Sequence, residues 1–136
     1  IYCKNFRAME NEARYEVTAM CESPDSRGMS LNEYQQCALE TAVYPEEYNI
    51  IYPALGMAGE AGEVADKVKK VIRDGNADFS PVKCEEIAME IGDVMWYCAV
   101  LADRIGYRLD TIARMNNRKL KSRQLRGKLG GSGDNR

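Results

Sequence analysis

Pro53-Ala54-Leu55-Gly56-Met57-Ala58-Gly59-Glu60-Ala61-Gly62-Glu63-Val64-Ala65-Asp66-Lys67-Val68-Lys69-Lys70-Val71-Ile72-Arg73, closed by Asp74-Gly75-Asn76, decides the fold. It reads as one helix that begins just after Pro53, runs to about Arg73 and stops at Asp74-Gly75-Asn76. Gly56, Gly59 and Gly62 each cost up to ~1 kcal/mol relative to alanine inside a helix. With Ala58, Ala61 and Ala65 they form a face of very small side chains. Such a face admits the close approach of another helix or of a ligand.

Working outward, the pattern stays helical. Ser30-Leu31-Asn32-Glu33 is a capping box, and Leu31, Tyr34, Ala38 and Ala42 follow it at helical spacing. Tyr44-Pro45 is expected to end that helix, because the residue before proline is pushed out of the helical region. Ser80-Pro81 opens a third helix, with proline at the first helical position, which continues to about Ile105 before Gly106. Asp110 is expected to cap a fourth helix reaching roughly Ser122. Short links and the lack of a strand pattern make the fold class all-α, a four-helix bundle. Residues 1–28 read as an N-terminal extension with one short helix around Ala8–Met20, and residues 29–136 as the functional domain. The segment from Gly127 to Arg136 reads as a glycine-rich mobile tail.

Composition narrows the function. The 136 residues suit one domain with a modest core, and the 45% apolar and 29% charged fractions are ordinary for a globular protein. A net charge of -2 argues against gripping a nucleic acid duplex. No apolar run approaches the roughly 20 residues of a membrane span. The first 28 residues also lack the apolar stretch of a signal peptide. Cys3, Cys21, Cys37, Cys84 and Cys98 are odd in number and contain no Cys-x-x-Cys pair. Cys37 and Cys98 read as reduced packing thiols, which fits a soluble, cytoplasmic protein. Histidine is absent altogether, which removes the usual Ser-His-Asp and Cys-His machinery and the common zinc sites. A metal here would be held by oxygen, which points to Mg2+, Mn2+ or Ca2+.

The chemistry gathers on the second and third helices. Glu60 and Glu63 are three residues apart, as are Glu90 and Asp93, so each pair projects to one side of its helix. Adjacent helices would bring four carboxylates to one point, where their repulsion calls for cations. Acidic residues at this spacing also occur on ordinary solvated helices. Lys67 and Lys70 follow Glu63 along its face, either as surface ion pairs or as phosphate contacts. Tyr97 shares the face of Asp93, and Trp96 lies to one side, suited to core packing or to base stacking. Carboxylates flanked by lysines are the layout expected for binding metal-chelated phosphates.

Gly59-Glu60-Ala61-Gly62-Glu63-Val64, followed by Glu90-Ile91-Gly92-Asp93-Val94, resembles the MazG family of all-α nucleoside triphosphate pyrophosphohydrolases. That family carries a Glu-Glu-x-x-Glu motif and then a Glu-x-x-Asp motif. Asn116-Asn117-Arg118-Lys119-Leu120, Arg123 and Gly131-Ser132-Gly133-Asp134-Asn135-Arg136 are similar to the end of its short, phage and bacterial branch. The resemblance covers about residues 29–136, with one departure: Gly59 stands where the family has the first glutamate of its pair. It implies Mg2+-dependent hydrolysis of an NTP or dNTP to the monophosphate and pyrophosphate, in nucleotide-pool control or house-cleaning. Mn2+ is the natural substitute. Glu60, Glu63, Glu90 and Asp93 would be the metal ligands, and one of them, or Glu86, would activate the water. Lys67, Lys70 and Tyr97 would contact phosphates, with Trp96, Asn116, Lys119 and Arg123 as further substrate-binding positions. The tail, with Lys128 and Arg136, could fold over the triphosphate. Related activities on dCTP, dUTP or phosphoribosyl-ATP belong to the same superfamily. A non-catalytic helical nucleotide-binding regulator is the reading from another class, and four retained carboxylates argue against it. The third helix spreads Ile87, Met89, Ile91, Val94, Met95, Trp96, Val100 and Leu101 around much of its circumference. Such a helix is buried on more than one side, so a homodimer or a dimer of dimers (a homotetramer) is expected.

Overall fold

In the computed structural model, which describes residues 28–130, the capping box at Ser30 closes in both directions. The Glu33 amide donates to Ser30 Oγ at 3.2 Å, and the Ser30 amide donates to Glu33 Oε2 at 2.7 Å. The helix it starts, α1, spans Leu31–Glu40. It stops short of the expected boundary at Tyr44-Pro45. The reason is Thr41, whose hydroxyl donates to the Ala38 carbonyl at 3.0 Å and so competes with continuation of the helix. A single 3-10 turn, Glu46–Tyr48, then leads to the long helix α2, Ile51–Gly75.

Pro53 lies inside the first turn of α2 rather than ahead of it. The first turn has no intrahelical use for its amide hydrogens, so proline costs nothing there. At the other end Asn76 adopts the left-handed conformation, φ 49°, and Ala77 follows at φ 60°. The expected stop therefore falls on the asparagine. Helix α3, Pro81–Arg104, begins where Ser80-Pro81 places it, although the Ser80 side chain makes no capping hydrogen bond. Gly106, at φ 79°, ends it: its amide donates to Asp103 and that of Tyr107 to Ala102, each at 2.8 Å.

Helix α4, Leu109–Leu125, departs from the expected start at Asp110. Its N-cap is Arg108, whose side chain cannot accept a hydrogen bond. The exposed amides are instead taken by α1: Leu109 donates to Gln35 Oε1 at 3.0 Å and Asp110 to Asn32 Oδ1 at 3.2 Å. Gln35 also donates through Nε2 to the carbonyls of Ala99 and Tyr107, both at 3.1 Å. This buried amide, 3% exposed, thus joins α1, α3 and α4.

The architecture is all-helical, with no strand among the described residues. Helix α3 is the hub: α2 packs against it as an antiparallel partner, and α1 and α4 pack against its other sides. The core centres on Ala38, Ala99 and Val100, with Tyr34, Leu39, Trp96 and Leu109 around them. Fully buried apolar side chains among the described residues are no larger than valine. By contrast Leu55 and Met89 are each 69% exposed, and Ile51, Ile72, Ile91 and Met95 are exposed as well. No helix among the described residues is long and apolar enough to cross a membrane. Cys84 and Cys98 are free, but Cys37 is disulfide-bonded, which corrects its reading as a reduced packing thiol. The short helix expected around Ala8–Met20, and the tail residues 131–136 with Arg136, lie outside the described residues.

Candidate metal centre

The antiparallel packing of α2 on α3 sets Glu60 opposite Glu90 and Asp93. One carboxylate oxygen from each of these three residues lies within 4.8 Å of the other two. The donor set is all oxygen and all anionic, which fits a hard dication such as Mg2+ or Mn2+. Glu63 stands outside this trio. It is exposed at the rim of α2, one turn on from Glu60, so the structure brings together three of the four acids singled out by spacing.

Lys67 crosses from α2 to α3, with Nζ 3.5 Å from Glu90 Oε1. It therefore pairs between helices, not along its own helix with Glu63. Three carboxylates converge while the ammonium is paired with one of them, Glu90, and the excess negative charge favours a cation. Lys70 turns to Asp66 at 2.6 Å, and Asp66 also receives Lys69. These two lysine hydrogen bonds, Lys69 first, hold the Asp66 carboxyl down at about 2.

Tyr97 seats its ring directly on Gly56. A Cβ at position 56 would lie 2.2 Å from its Cε1 and 2.3 Å from its Cζ. Glycine is thus required here for a close approach. Among the described residues, and apart from the helix's own backbone and adjacent residues, nothing stands within 4 Å of the corresponding points at Gly59 and Gly62. Burial raises the Tyr97 phenol above its usual range, helped by Tyr52 and by the negative charges of Glu60 and Asp93. Its proton is accordingly held in place beside the carboxylates. Trp96 meets Tyr97 edge-on, with ring centroids 4.8 Å apart, but its indole N–H donates to Thr41 Oγ1 at 2.7 Å and its ring packs on the core. That placement packs the Trp96 ring against the core.

Two residues near the carboxylates escaped the reading of the sequence. Tyr34, on α1, donates to the Gly92 carbonyl at 3.4 Å, and its phenol is raised by burial and then by Asp93 and Cys98. Tyr52 stands 6.4 Å from Tyr97, centroid to centroid, and stacks on Tyr44 at 4.9 Å. Its signal was available: positions 52, 56 and 60 recur every four residues on one face of α2. Tyr34 carried none, because its own helix reads it as an apolar-face residue.

Asn116 and Lys119 are exposed on α4. They line a groove of about 770 Å3 whose apolar walls include Leu31, Met95, Cys98, Leu109 and Ile112. Cys98, which also contacts Met57 on α2 at 3.4 Å, connects this groove to the α2–α3 pair. Arg123 is buried, 5% exposed, so the structure makes it part of the α4 packing surface. Lys128 is exposed beyond the end of α4. Glu86 is taken by Lys83 at 3.0 Å, and this partner holds its carboxyl below the ordinary range.

Comparison with known proteins adds an independent finding. The family model for the MazG nucleotide pyrophosphohydrolase domain matches residues 53–126, which take in α2 from Pro53 onward, α3 and α4. The chain is also 41% identical over 114 residues to Gene 37 protein of Mycobacterium phage L5, covering 79% of this chain and 100% of that protein. No solved structure matches the chain.

Proposed function

The chain belongs to the MazG nucleotide pyrophosphohydrolase family, and we propose on that premise that it hydrolyses a nucleoside or deoxynucleoside triphosphate to the monophosphate and pyrophosphate. One observation carries the reading: among the described residues Glu60, Glu90 and Asp93, from two helices, converge, with Lys67 paired to Glu90. These acids would hold Mg2+, with Mn2+ as a substitute. Exposed Glu63 joins them as a fourth oxygen donor by a side-chain rotation. A bound dication supplies Lewis-acid polarisation of phosphoryl oxygens and lowers the pKa of water.

The chain's own residues do the rest. A carboxylate of this group orients a water and accepts its proton. The water oxygen bonds to the α-phosphorus as the bond to the α,β-bridging oxygen breaks, and the electron pair leaves on pyrophosphate. Tyr97, which keeps its proton, donates to a phosphate oxygen, while Lys67 and Lys70 offset charge on the rest of the chain of phosphates. Trp96 supports Tyr97 from behind instead of stacking a base. Asn116 and Lys119 border the groove that would take the nucleoside, and Arg123 fixes that helix in place. The catalytic unit is residues 29–136, with residues 1–28 as an extension. A nucleoside triphosphate substrate supports a cytoplasmic location for the activity.

Assembly is part of the same reading. Ile51, Leu55, Ala58, Gly62, Ala65 and Ile72 are all exposed and recur along α2 at intervals of three, four or seven residues. An apolar stripe with small residues at its centre suits close packing against a second helix. We assign it to a homodimer contact, with a dimer of dimers as the larger form. The catalytic reading is tested by incubating the protein with Mg2+ and a panel of triphosphates in 18O-water. Equal monophosphate and pyrophosphate, with the label in the monophosphate, is the expected result. Accumulation of diphosphate, or of orthophosphate directly, would overturn it.

A further inference from the structure

The two ends of the α2–α3 pair differ in chemistry. On one side of the carboxylates lie Gly56, Tyr97, Tyr52 and Tyr44, an aromatic run. On the other, toward the turn that joins the helices, a cavity of about 510 Å3 is lined by Lys67, Lys70 and Lys83 together with Asp74, Asp78 and Glu86. Its volume is within the range of small-molecule sites. Lys67 belongs to both places, since it lines the cavity and reaches Glu90 at 3.5 Å. The cavity therefore begins where the carboxylates end.

We propose that this cavity seats the β- and γ-phosphates of the triphosphate, and pyrophosphate after cleavage, so that the nucleoside points away from the turn that joins α2 and α3. This rests on the catalytic reading and adds to it a direction for the substrate and a new contact, Lys83. Three lysines from two helices offer the charge that the terminal phosphates need, whereas at the aromatic end the Arg104 guanidinium is already engaged, donating to the Tyr44 hydroxyl at 3.1 Å. The lining acids do not block this. Glu86 holds Lys83 at 3.0 Å and Asp74 is held by Arg73 at 2.6 Å. Solvent-exposed pairs of this kind are weak, so a more highly charged phosphate exchanges readily for a carboxylate. Glu86 keeps Lys83 at the cavity until that exchange occurs, while Lys70 is held by Asp66 and Lys67 by Glu90.

The test uses Lys83→Gln in the full chain, with circular dichroism to verify folding and Lys83→Arg as the charge-conserving control. Isothermal titration calorimetry in Mg2+ measures pyrophosphate and nucleoside monophosphate separately, and neither needs turnover. Pyrophosphate affinity should fall about tenfold in Lys83→Gln and hold in Lys83→Arg, with monophosphate affinity changed less than about twofold. If the wild type hydrolyses triphosphate but Lys83→Gln binds pyrophosphate normally, the direction is wrong and the catalytic reading stands. Equal losses for both products also overturn the direction. A wild type that neither hydrolyses triphosphate nor binds pyrophosphate overturns both. Lys83-dependent pyrophosphate binding without hydrolysis keeps the cavity and removes the catalysis.

Discussion

Replacing Gly56 by alanine puts one methyl group where the Tyr97 ring already is. The new carbon would lie 2.2 Å from Cε1, 2.3 Å from Cζ and 2.7 Å from Cδ1. Carbon atoms settle at about 3.5–4.0 Å, so the overlap exceeds about an ångström at Cε1 and Cζ and is about 0.8 Å or more at Cδ1. The ring cannot simply swing aside, because Trp96 and Tyr52 flank it. Overpacking of this kind costs about 1–3 kcal/mol. Alanine returns up to ~1 kcal/mol through its better helix propensity. The net expectation is a loss of about 1–2 kcal/mol, which lowers Tm by several degrees at fixed protein concentration. Turnover should fall as well, since Tyr97 is displaced from beside Glu60 and Asp93. Gly59→Ala and Gly62→Ala meet nothing within 4 Å and serve as controls that gain about 0.5–1 kcal/mol as monomers. Urea unfolding and pyrophosphate release on Gly56→Ala, Tyr97→Ala and the double variant complete a cycle, and the two single losses should not add. A Gly56→Ala protein with wild-type stability and rate, or strictly additive losses, would refute the reasoning.

Asp93→Asn should reduce turnover at saturating Mg2+ by about 100-fold or more with the helical circular dichroism spectrum retained, because a neutral amide is a poorer ligand; wild-type rates would remove Asp93 from the site. Light scattering at micromolar concentration should give at least two chains per particle, and Leu55→Glu should reduce that to one. A wild-type monomer that turns over substrate would end the dimer assignment. For pH, the Asp66 carboxyl is held down to about 2 against 3.8 when free, so its contribution is fully present above about pH 4 and is lost as pH falls through about 2. The stability difference between wild type and Asp66→Asn, followed by urea midpoint from pH 5 to 2, should therefore shrink toward acid. A difference independent of pH would show that Lys69 and Lys70 do not stabilise the ionised form.

The sequence announced most of the helices because their boundaries are local. Ser30 with Glu33, Pro81 at a first helical position and Gly106 at positive φ need only their neighbours. The boundaries it misplaced depend on contacts at long range or on competing side-chain bonds. Helix α1 stops at a threonine hydroxyl that Trp96 also engages, and α4 starts where α1 supplies acceptors. At the site, spacing singled out the two acid pairs and the resemblance gave them the role of ligands; the structure brings Glu60, Glu90 and Asp93 together, since two antiparallel helices preserve facing registers. Spacing did not show that Lys67 would cross to Glu90, or that Glu63 would be left at the rim. Side-chain reach across an interface has no sequence period. The breadth of apolar residues on the third helix led to the expectation of burial against a second chain; among the described residues Met89, Ile91 and Met95 are exposed.

The Gln35 amide has a consequence for the order in which the molecule comes together. The first turn of α4 has no capping side chain of its own, and its amides at Leu109 and Asp110 end on Gln35 and Asn32 of a helix more than seventy residues earlier. An isolated peptide of the last helix would begin frayed, because nothing in it answers those groups. Helices α1 and α4 therefore form one cooperative unit, and hydrogen exchange at Leu109 and Asp110 should slow or quicken together with exchange in α1. Damage confined to α1, far along the chain from Asn116 and Lys119, would loosen the helix that carries both.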